Sequence, residues 1–304
     1  MRTDESHLKV FEDLRPHLTG LAYRMTGSLS DADDVMQDAW LRWSRVDAAS
    51  VDAPKSYLLQ IVARLCVDQA TSARARREVY VGPWLPEPVA DPLALGVQPS
   101  AEQVAELADD LSVALLLVLK RLSPLERAAF LLHDVFDLTF EDIAGVLGRE
   151  PAACRKLASR ARRRVVEKRP PIGPQSTADR AFIDRFQQAA QSGDVASFAN
   201  MLAEDVELIA DGGGKAYAAL NPIRGRDKVV RFLAGLGAKF GAPREVRPLR
   251  LNGSDGLLIV ERDGGLQTWS IDWNAEGEVQ TIYAVRNPDK LERLRTVLTD
   301  LATS

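Results

Sequence analysis

Apolar residues recur every three or four positions through the first half of the chain and alternate with polar ones through much of the last third. This pattern predicts helices first and strands later. From about Leu8 to Glu78 the reading is all-helical, with two glycines bracketing Leu21 to Thr26. The next helix, SDADDVMQDAWLRWSRV, has Ser30 or Asp31 as its expected cap. Val35, Ala39 and Arg42 share one face, with Trp40 and Trp43 beside them. Its first turn holds Asp31, Asp33 and Asp34, where the helix dipole favours acids. Pro54 opens a further helix that begins apolar (Tyr57, Leu58, Ile61, Val62, Leu65) and ends basic (Arg74, Arg76, Arg77).

Between Tyr80 and Pro99 the periodicity fails. Pro83, Pro86, Pro88, Pro92 and Pro99 prevent a continuous helix or sheet, so this is a link that could stretch roughly tens of ångströms at about 3.3 Å per residue. Its WLPEP run, Trp84 to Pro88, carries a large aromatic that a merely flexible spacer would not need, which favours a docked contact. Helices return from Ala101 to about Glu167. Ser123-Pro124-Leu125-Glu126 is a helix start: a capping serine, a proline in the first turn, then an acid. From Phe140 to Val165 two short helices follow across a tight turn. Phe140, Ile143, Ala144 and Leu147 give the first an apolar face, Gly148 ends it, and Pro151 suits the first turn of the second. RPPIGPQS, Arg169 to Ser176, is a second link.

The tail differs in character. Ala178 to Leu202 offers two helices around Ser192-Gly193-Asp194; VELIA, LLIVER, LQTWSIDW and EVQTIYAV then read as strands separated by glycine turns. Hairpin order implies an antiparallel sheet, and Leu257, Ile259, Leu266, Thr268 and Ser270 imply one packed and one open face. A helix from Pro288 closes an α+β domain. The expected boundaries are 1–78 and 107–168 for the two helical modules, 79–106 and 169–177 for the links, and 178–304 for the tail.

Charge sharpens the picture. From Arg149 to Arg169 nine basic residues face only Glu150 and Glu167, so the segment carries +7 in a chain of net −4, leaving −11 elsewhere. An acidic chain that concentrates positive charge on the second helix of a helix-turn-helix aims it at phosphates. A basic helix end also suits the macrodipole, so the arginine run alone would not decide the matter. No uncharged apolar run approaches a membrane span, and MRTDESHLKVF has no apolar signal core, so the expectation is a cytoplasmic protein without a membrane partner. Cys66 and Cys154 lie far apart without metal-ligand spacing and read as buried thiols; neither metal nor cofactor is expected.

Two helical modules, a link and a basic helix-turn-helix together resemble the extracytoplasmic-function group of bacterial σ factors, from about Leu8 to Arg169. DADDVMQDAWLRW is similar to the family's polymerase-docking helix, with Asp33, Asp34 and Gln37 on its acidic and glutamine positions. PKSYLLQIVARLCVD resembles the regions that open and read the −10 element, with Tyr57 at the aromatic position, Asp68 at the aspartate, and Arg64 where the family usually has asparagine. LSPLERAAFLLHDVFDLTFEDIAGVLGREPAACRKLASRAR resembles region 4, which binds the −35 element; its usual threonine is Ala153 here. WLPEP, DGGGK (Asp211, Gly212, Gly213, Gly214, Lys215) and NPDKL (Asn287, Pro288, Asp289, Lys290, Leu291) in this order resemble the σ subgroup with a fused SnoaL-like, NTF2-fold domain. The implied architecture is multidomain: two all-α σ modules and a C-terminal α+β cone that regulates them.

The implied roles follow by position. Asp33, Asp34 and Gln37 meet RNA polymerase core enzyme. Lys55, Tyr57, Arg64, Arg74, Arg76 and Arg77 serve the melted −10 strand, which wants cations and aromatic platforms. Tyr57, at helical spacing with Leu58 and Ile61, reads more readily as core than as a stacking platform. Arg155, Lys156, Ser159 and Arg160 face −35 base edges, while Arg162, Arg163 and Arg164 hold phosphates. Trp84, Leu85, Pro86, Glu87 and Pro88 of the link meet the DGGGK and NPDKL segments, with Trp84 and Glu87 the expected partners of DGGGK; that loop lacks the strand-to-helix form of a phosphate cradle. Two other readings of the tail stay open, a SnoaL-like enzyme or a sensor of a small-molecule ligand. The histidines His7, His17 and His133 all precede it, leaving Asp205, Asp211, Asp272 and Tyr283 as conceivable bases. A plain repressor is a further alternative, though it would not need a polymerase-docking helix.

Overall fold

The computed structural model describes residues 2–47, 50–76, 80–90, 111–168, 182, 184–186, 188–189 and 199–303. These fall into two compact units, one built mainly from 2–76 with 115–168, the other from 80–90 with the tail.

In the first unit, α1 (Arg2–Thr26), α2 (Leu29–Trp43) and α3 (Pro54–Arg76) bury Phe11, Leu18, Trp43, Leu58, Leu59 and Val62 against one another. Gly20 does not interrupt α1, which runs on to Gly27, where φ is +75°. The cap of α2 is Ser28, ahead of the expected Ser30 or Asp31; its Oγ accepts from the Asp31 N–H at 3.2 Å. That frees Asp31 to sit inside the first turn, where its charge meets the helix dipole.

Among the described residues the second helical module holds α4 (Val113–Arg121) and α5 (Pro124–Phe130), the latter carrying the full Ser123–Glu126 capping box; the helix expected from Ala101 lies largely outside them. A five-residue π turn, Leu131–Val135, continues α5. Then α6 (Phe140–Leu147) ends at Gly148, left-handed at φ +59° and ψ 44°, and α7 (Pro151–Lys168) follows as the second helix of the helix-turn-helix. Ile143, Leu147, Cys154, Ala158 and Ala161 form the buried seam of this pair. Both cysteines are buried, as expected.

The tail is an α+β domain on a six-stranded sheet ordered β2-β1-β6-β5-β4-β3, from β1 (Leu202–Asp211), β2 (Ile223–Arg224), β3 (Glu245–Leu251), β4 (Ser254–Val260), β5 (Leu266–Trp273) and β6 (Val279–Val285). Helix α8 (Arg226–Phe240) joins β2 to β3, and α9 (Pro288–Thr303) closes the chain. The antiparallel expectation needs correcting. β3 to β6 do pair antiparallel, but β1 pairs parallel with β6, Leu208 opposite Ile282 and Asp211 opposite Val285, so the sheet is mixed. β3 went unread because Pro248 breaks its pattern; it is an edge strand, where a missing N–H is tolerated. The open face is also corrected: Leu257 and Leu258 are both buried, as are Thr268 and Trp269. One face carries Phe182, Phe186, Trp269, Ile271, Trp273 and Ile282, and α9 packs over β5. The two tail helices expected before β1 lie largely outside the described residues.

Candidate functional site

The link from Tyr80 to Ala90 is an extended strap laid on the tail. Pro83, Pro86 and Pro88 deny it helix or ladder hydrogen bonding, so its remaining polar groups look elsewhere. At its far end Ala90 bridges Leu251, the Asn252 N–H donates to Val89 O at 2.7 Å, and the Val89 N–H donates to Asn252 Oδ1 at 3.2 Å. Leu85, Pro86, Glu87 and Pro88 are buried.

At its near end everything turns on Asp211, the last residue of β1 and wholly buried. Its Oδ1 accepts from the Tyr80 hydroxyl at 2.6 Å and the Gly213 N–H at 3.0 Å. Its Oδ2 accepts from the Leu85 N–H at 2.8 Å and from Lys290 Nζ at 2.7 Å. Lys290 Nζ also donates to Leu85 O at 2.5 Å and lies 4.4 Å from the Trp84 ring centre and 4.9 Å from that of Tyr80. A carboxylate taken fully out of water is tolerable only when paired and hydrogen-bonded in this way. Asn287 Nδ2 donates to the Tyr80 hydroxyl at 2.9 Å, and the Arg286 and Asn287 N–H groups close on Asp211 O at 2.7 and 2.9 Å. Burial first, then the hydrogen bond it gives Asp211, push the Tyr80 phenol well above its usual range, so it stays a donor.

The glycines of DGGGK answer to this packing. A Cβ on Gly213 would fall 2.2 Å from Asn287 Nδ2, and one on Gly212 would fall 2.3 Å from Ala216 O. Gly213 and Gly214 also hold φ of +59° and +73°. Lys215 reaches Asp289 at 2.5 Å on the surface, and Leu291 is buried. WLPEP, DGGGK and NPDKL therefore converge. Tyr80 and the main chain of Leu85 are partners of the DGGGK aspartate, Asp211. Tyr80 was missed because it lies outside the recognisable pentapeptide, although an aromatic at the edge of a proline-rich link was the available signal.

In the first unit, Asp33, Asp34 and Gln37 are exposed together on α2, opposite buried Ala32, Val35, Met36 and Ala39. Lys55 is exposed on α3, and Tyr57 is half-buried with its ring 6.0 Å from Trp43. Arg64 donates to Val146 O of α6 at 3.0 Å and pairs with Asp68 at 3.4 Å. Arg74 and Arg76 lie on α3 with side chains outside the described residues, as is all of Arg77. Tyr57, Gln60, Arg64 and Val146 border a groove of about 310 Å³. Arg127, unremarked in the sequence, is buried and joins the same two modules. Its guanidinium donates to Met25 O at the end of α1 and to Leu119 O at 2.8 Å and Lys120 O at 3.1 Å.

On α7 the side chains of Arg155, Lys156, Ser159, Arg160, Arg162 and Arg163 are all exposed. Several are held by acids behind them: Arg155 by Glu141 at 3.1 Å, Arg162 by Asp134 at 2.5 Å, and Arg160 and Arg164 by Glu126 at 3.4 and 3.0 Å. Burial works to raise the Glu126 carboxyl, but the Ser123 hydrogen bonds and the Arg164 and Arg160 charges prevail and hold it below the usual carboxylate range. Glu126 was read only as a capping acid.

Of the conceivable tail bases, Asp205 accepts from Gln280 at 3.1 Å on the surface, and Asp272 accepts from the buried Tyr283 hydroxyl at 2.7 Å. Burial and the Asp272 charge push the Tyr283 phenol upward. Among the described residues no cluster of three His, Cys, Asp or Glu side chains forms a metal site, and no helix is long and apolar enough to cross a membrane.

Comparison with known proteins matches this geometry. Residues 10–76 match the Sigma-70 region 2 family and residues 112–165 the Sigma-70 region 4 family. Over 296 residues the chain is 39% identical to the ECF RNA polymerase sigma factor SigJ of Mycobacterium tuberculosis, covering 92% of this chain and 91% of that relative. It is 34% identical over 193 residues to the probable ECF RNA polymerase sigma factor SigI of the same species, covering 62% and 64%. The crystal structure of M. tuberculosis SigJ superposes with a TM-score of 0.75 at 35% identity, over 94% of this chain and 98% of that one. The chain belongs to the extracytoplasmic-function σ factors. It directs RNA polymerase to promoters through regions 2 and 4 and carries a fused C-terminal α+β domain.

Proposed function

We propose that the tail regulates the σ modules through the strap, and that Asp211 is the point on which that regulation turns. The supporting observation is the closure of three separate segments on one fully buried carboxylate: residues 80–85, the 211–213 loop and residues 286–290. So much hydrogen bonding on a proline-rich link exceeds what a spacer needs. In this reading Asp33, Asp34 and Gln37 dock on the polymerase. Lys55, Tyr57, Arg64, Arg74, Arg76 and Arg77 serve the −10 strand, Arg155, Lys156, Ser159 and Arg160 the −35 base edges, and Arg162 and Arg163 its phosphates.

The Arg64 bond to Val146 O ties α3 to α6, and in this reading promoter opening separates the two helices. Arg127 and Arg64 hold the two σ modules closed. The acids behind α7 hold its arginines extended until phosphates replace them, since half-exposed ion pairs cost little to exchange. An enzymatic tail is the weaker reading, because Phe182, Phe186, Trp269 and Trp273 fill the packed face of the sheet where an apolar reaction pocket would lie. The protein acts where the polymerase does, in the cytoplasm.

The test is run-off transcription with purified core polymerase, comparing the full chain with Asp211→Asn and Tyr80→Phe. Loss of the buried charge releases the strap, so transcription at limiting polymerase should change several-fold for Asp211→Asn and less for Tyr80→Phe. Equal transcription by all three proteins would overturn the regulatory role.

A further inference from the structure

We propose that a cleft on the tail, bounded by the 215–217 loop, the end of α8, the β4–β5 hairpin and the start of α9, binds a small planar aromatic anion. The cleft encloses about 460 Å³, within the size range of sites for drug-sized ligands. The inference concerns the tail alone and does not depend on the regulatory reading above.

Two properties of the lining define the ligand. The first is aromatic. Tyr217 and Phe240 stand with ring centres 5.4 Å apart and remain 54% and 44% exposed, an unusual outlay of large apolar surface to water. Lys239 Nζ sits 4.5 Å from the Tyr217 ring centre and 5.1 Å from that of Phe240, so the pair already holds a cation on its π-faces. A flat ring inserted beside them gains stacking and removes that surface from water.

The second property is charge. Lys215, Arg262, Arg286 and Arg295 line the cleft against only Glu261 and Asp263. Both acids are engaged within the protein: Glu261 accepts from Arg286 at 3.2 Å and Gln267 at 2.6 Å, and Asp263 accepts from the Gly265 N–H at 2.9 Å. Arg286 is further fixed by donating to Tyr217 O at 2.7 Å. The cations on the rim are held more loosely. Lys215 pairs with exposed Asp289, Arg295 lies 3.8 Å from exposed Glu292, and Arg262 commits its Nε to Ala242 O. Surface pairs of this kind exchange readily for a better-placed anion. A carboxylate or sulfonate on a planar ring system satisfies both halves of the lining, whereas a neutral ring satisfies only one.

The cleft also touches the strap cluster. Arg286 supplies side-chain rim and a main-chain N–H on Asp211 O, and Lys215 and Pro288 belong to the DGGGK and NPDKL segments. A ligand drawing Lys215 from Asp289 would therefore act within two residues of Asn287.

The experiment titrates the full chain with 2-naphthoate and, separately, with neutral 2-naphthamide, by calorimetry at low salt. The expected result is saturable binding of one naphthoate per chain, with the amide at least tenfold weaker. Arg262→Gln with Arg295→Gln, and independently Phe240→Ala, should each weaken naphthoate binding about tenfold while leaving the circular dichroism spectrum and the run-off activity of the ligand-free chain unchanged. No saturable binding, equal binding of acid and amide, or binding indifferent to both sets of substitutions would overturn the site. Retained binding alongside unaltered transcription by Asp211→Asn would count against the regulatory reading and leave this one standing.

Discussion

Asp211 and Glu126 are both buried carboxylates ringed by cations and N–H groups, yet they are built for different ends. Asp211 takes its positive partner, Lys290, into the interior with it: the two side chains are 0% and 10% exposed. Glu126 is 7% exposed, but its arginines, Arg160 and Arg164, are about half exposed. Removing the cation from the first site strands a charge without water. Removing it from the second leaves a carboxylate still held by the Ser123 N–H at 3.1 Å and hydroxyl at 2.8 Å. The first is a fastening. The second pairs α7 arginines at the surface and survives their departure.

Substitutions should separate the two sites by size of effect. Lys290→Met leaves Asp211 unpaired in the interior, a loss of about 3–5 kcal/mol, so protection of the Leu85 amide against hydrogen exchange should fall about a hundredfold or more. Unchanged protection would show that the strap is held by its prolines and Leu85 side chain instead. Gly213→Ala forces a Cβ onto Asn287 at a left-handed position and should cost about 1–3 kcal/mol, visible in the same amide.

Glu126→Gln should cost under about 1 kcal/mol near neutral pH, because its partners are half solvated. Its sign with pH is distinctive. A carboxyl held below its usual range stabilises the fold above an ordinary value of about 4.3, and that contribution is lost as pH falls through the lowered folded value. The thermal-unfolding gap between wild type and Glu126→Gln should therefore narrow from pH 7 towards pH 3. A gap that widens in acid would mean Glu126 is not the charged partner of α7.

Much of this was legible in the chain because its signals are local. Ser123 with Glu126, Gly148, Pro151 and Pro54 each mark a helix end with chemistry that acts within one turn. The arginines of α7 announce their exposure by number alone. What stayed hidden is closure over distance. That VELIA would pair parallel with EVQTIYAV, or that Asp211 would lie against Tyr80, depends on crossovers no local pattern encodes. Arg127 fell between: a charge in the apolar run LERAAF was a visible anomaly, but its carbonyl partners on α1 were not. Ser28 was passed over as a cap because two good candidates followed it within three residues.

The burial of Cys66 has a consequence for its reactivity. Its thiol is pushed up to about 12 by burial, against the pull of the Arg127 charge, and Cys154 is raised for the same first reason. At neutral pH Cys66 therefore stays a thiol, the less nucleophilic form. Cys154 is the chain's other cysteine, and it too is free and buried. A reagent that is to reach either thiol must first part the helices that cover it.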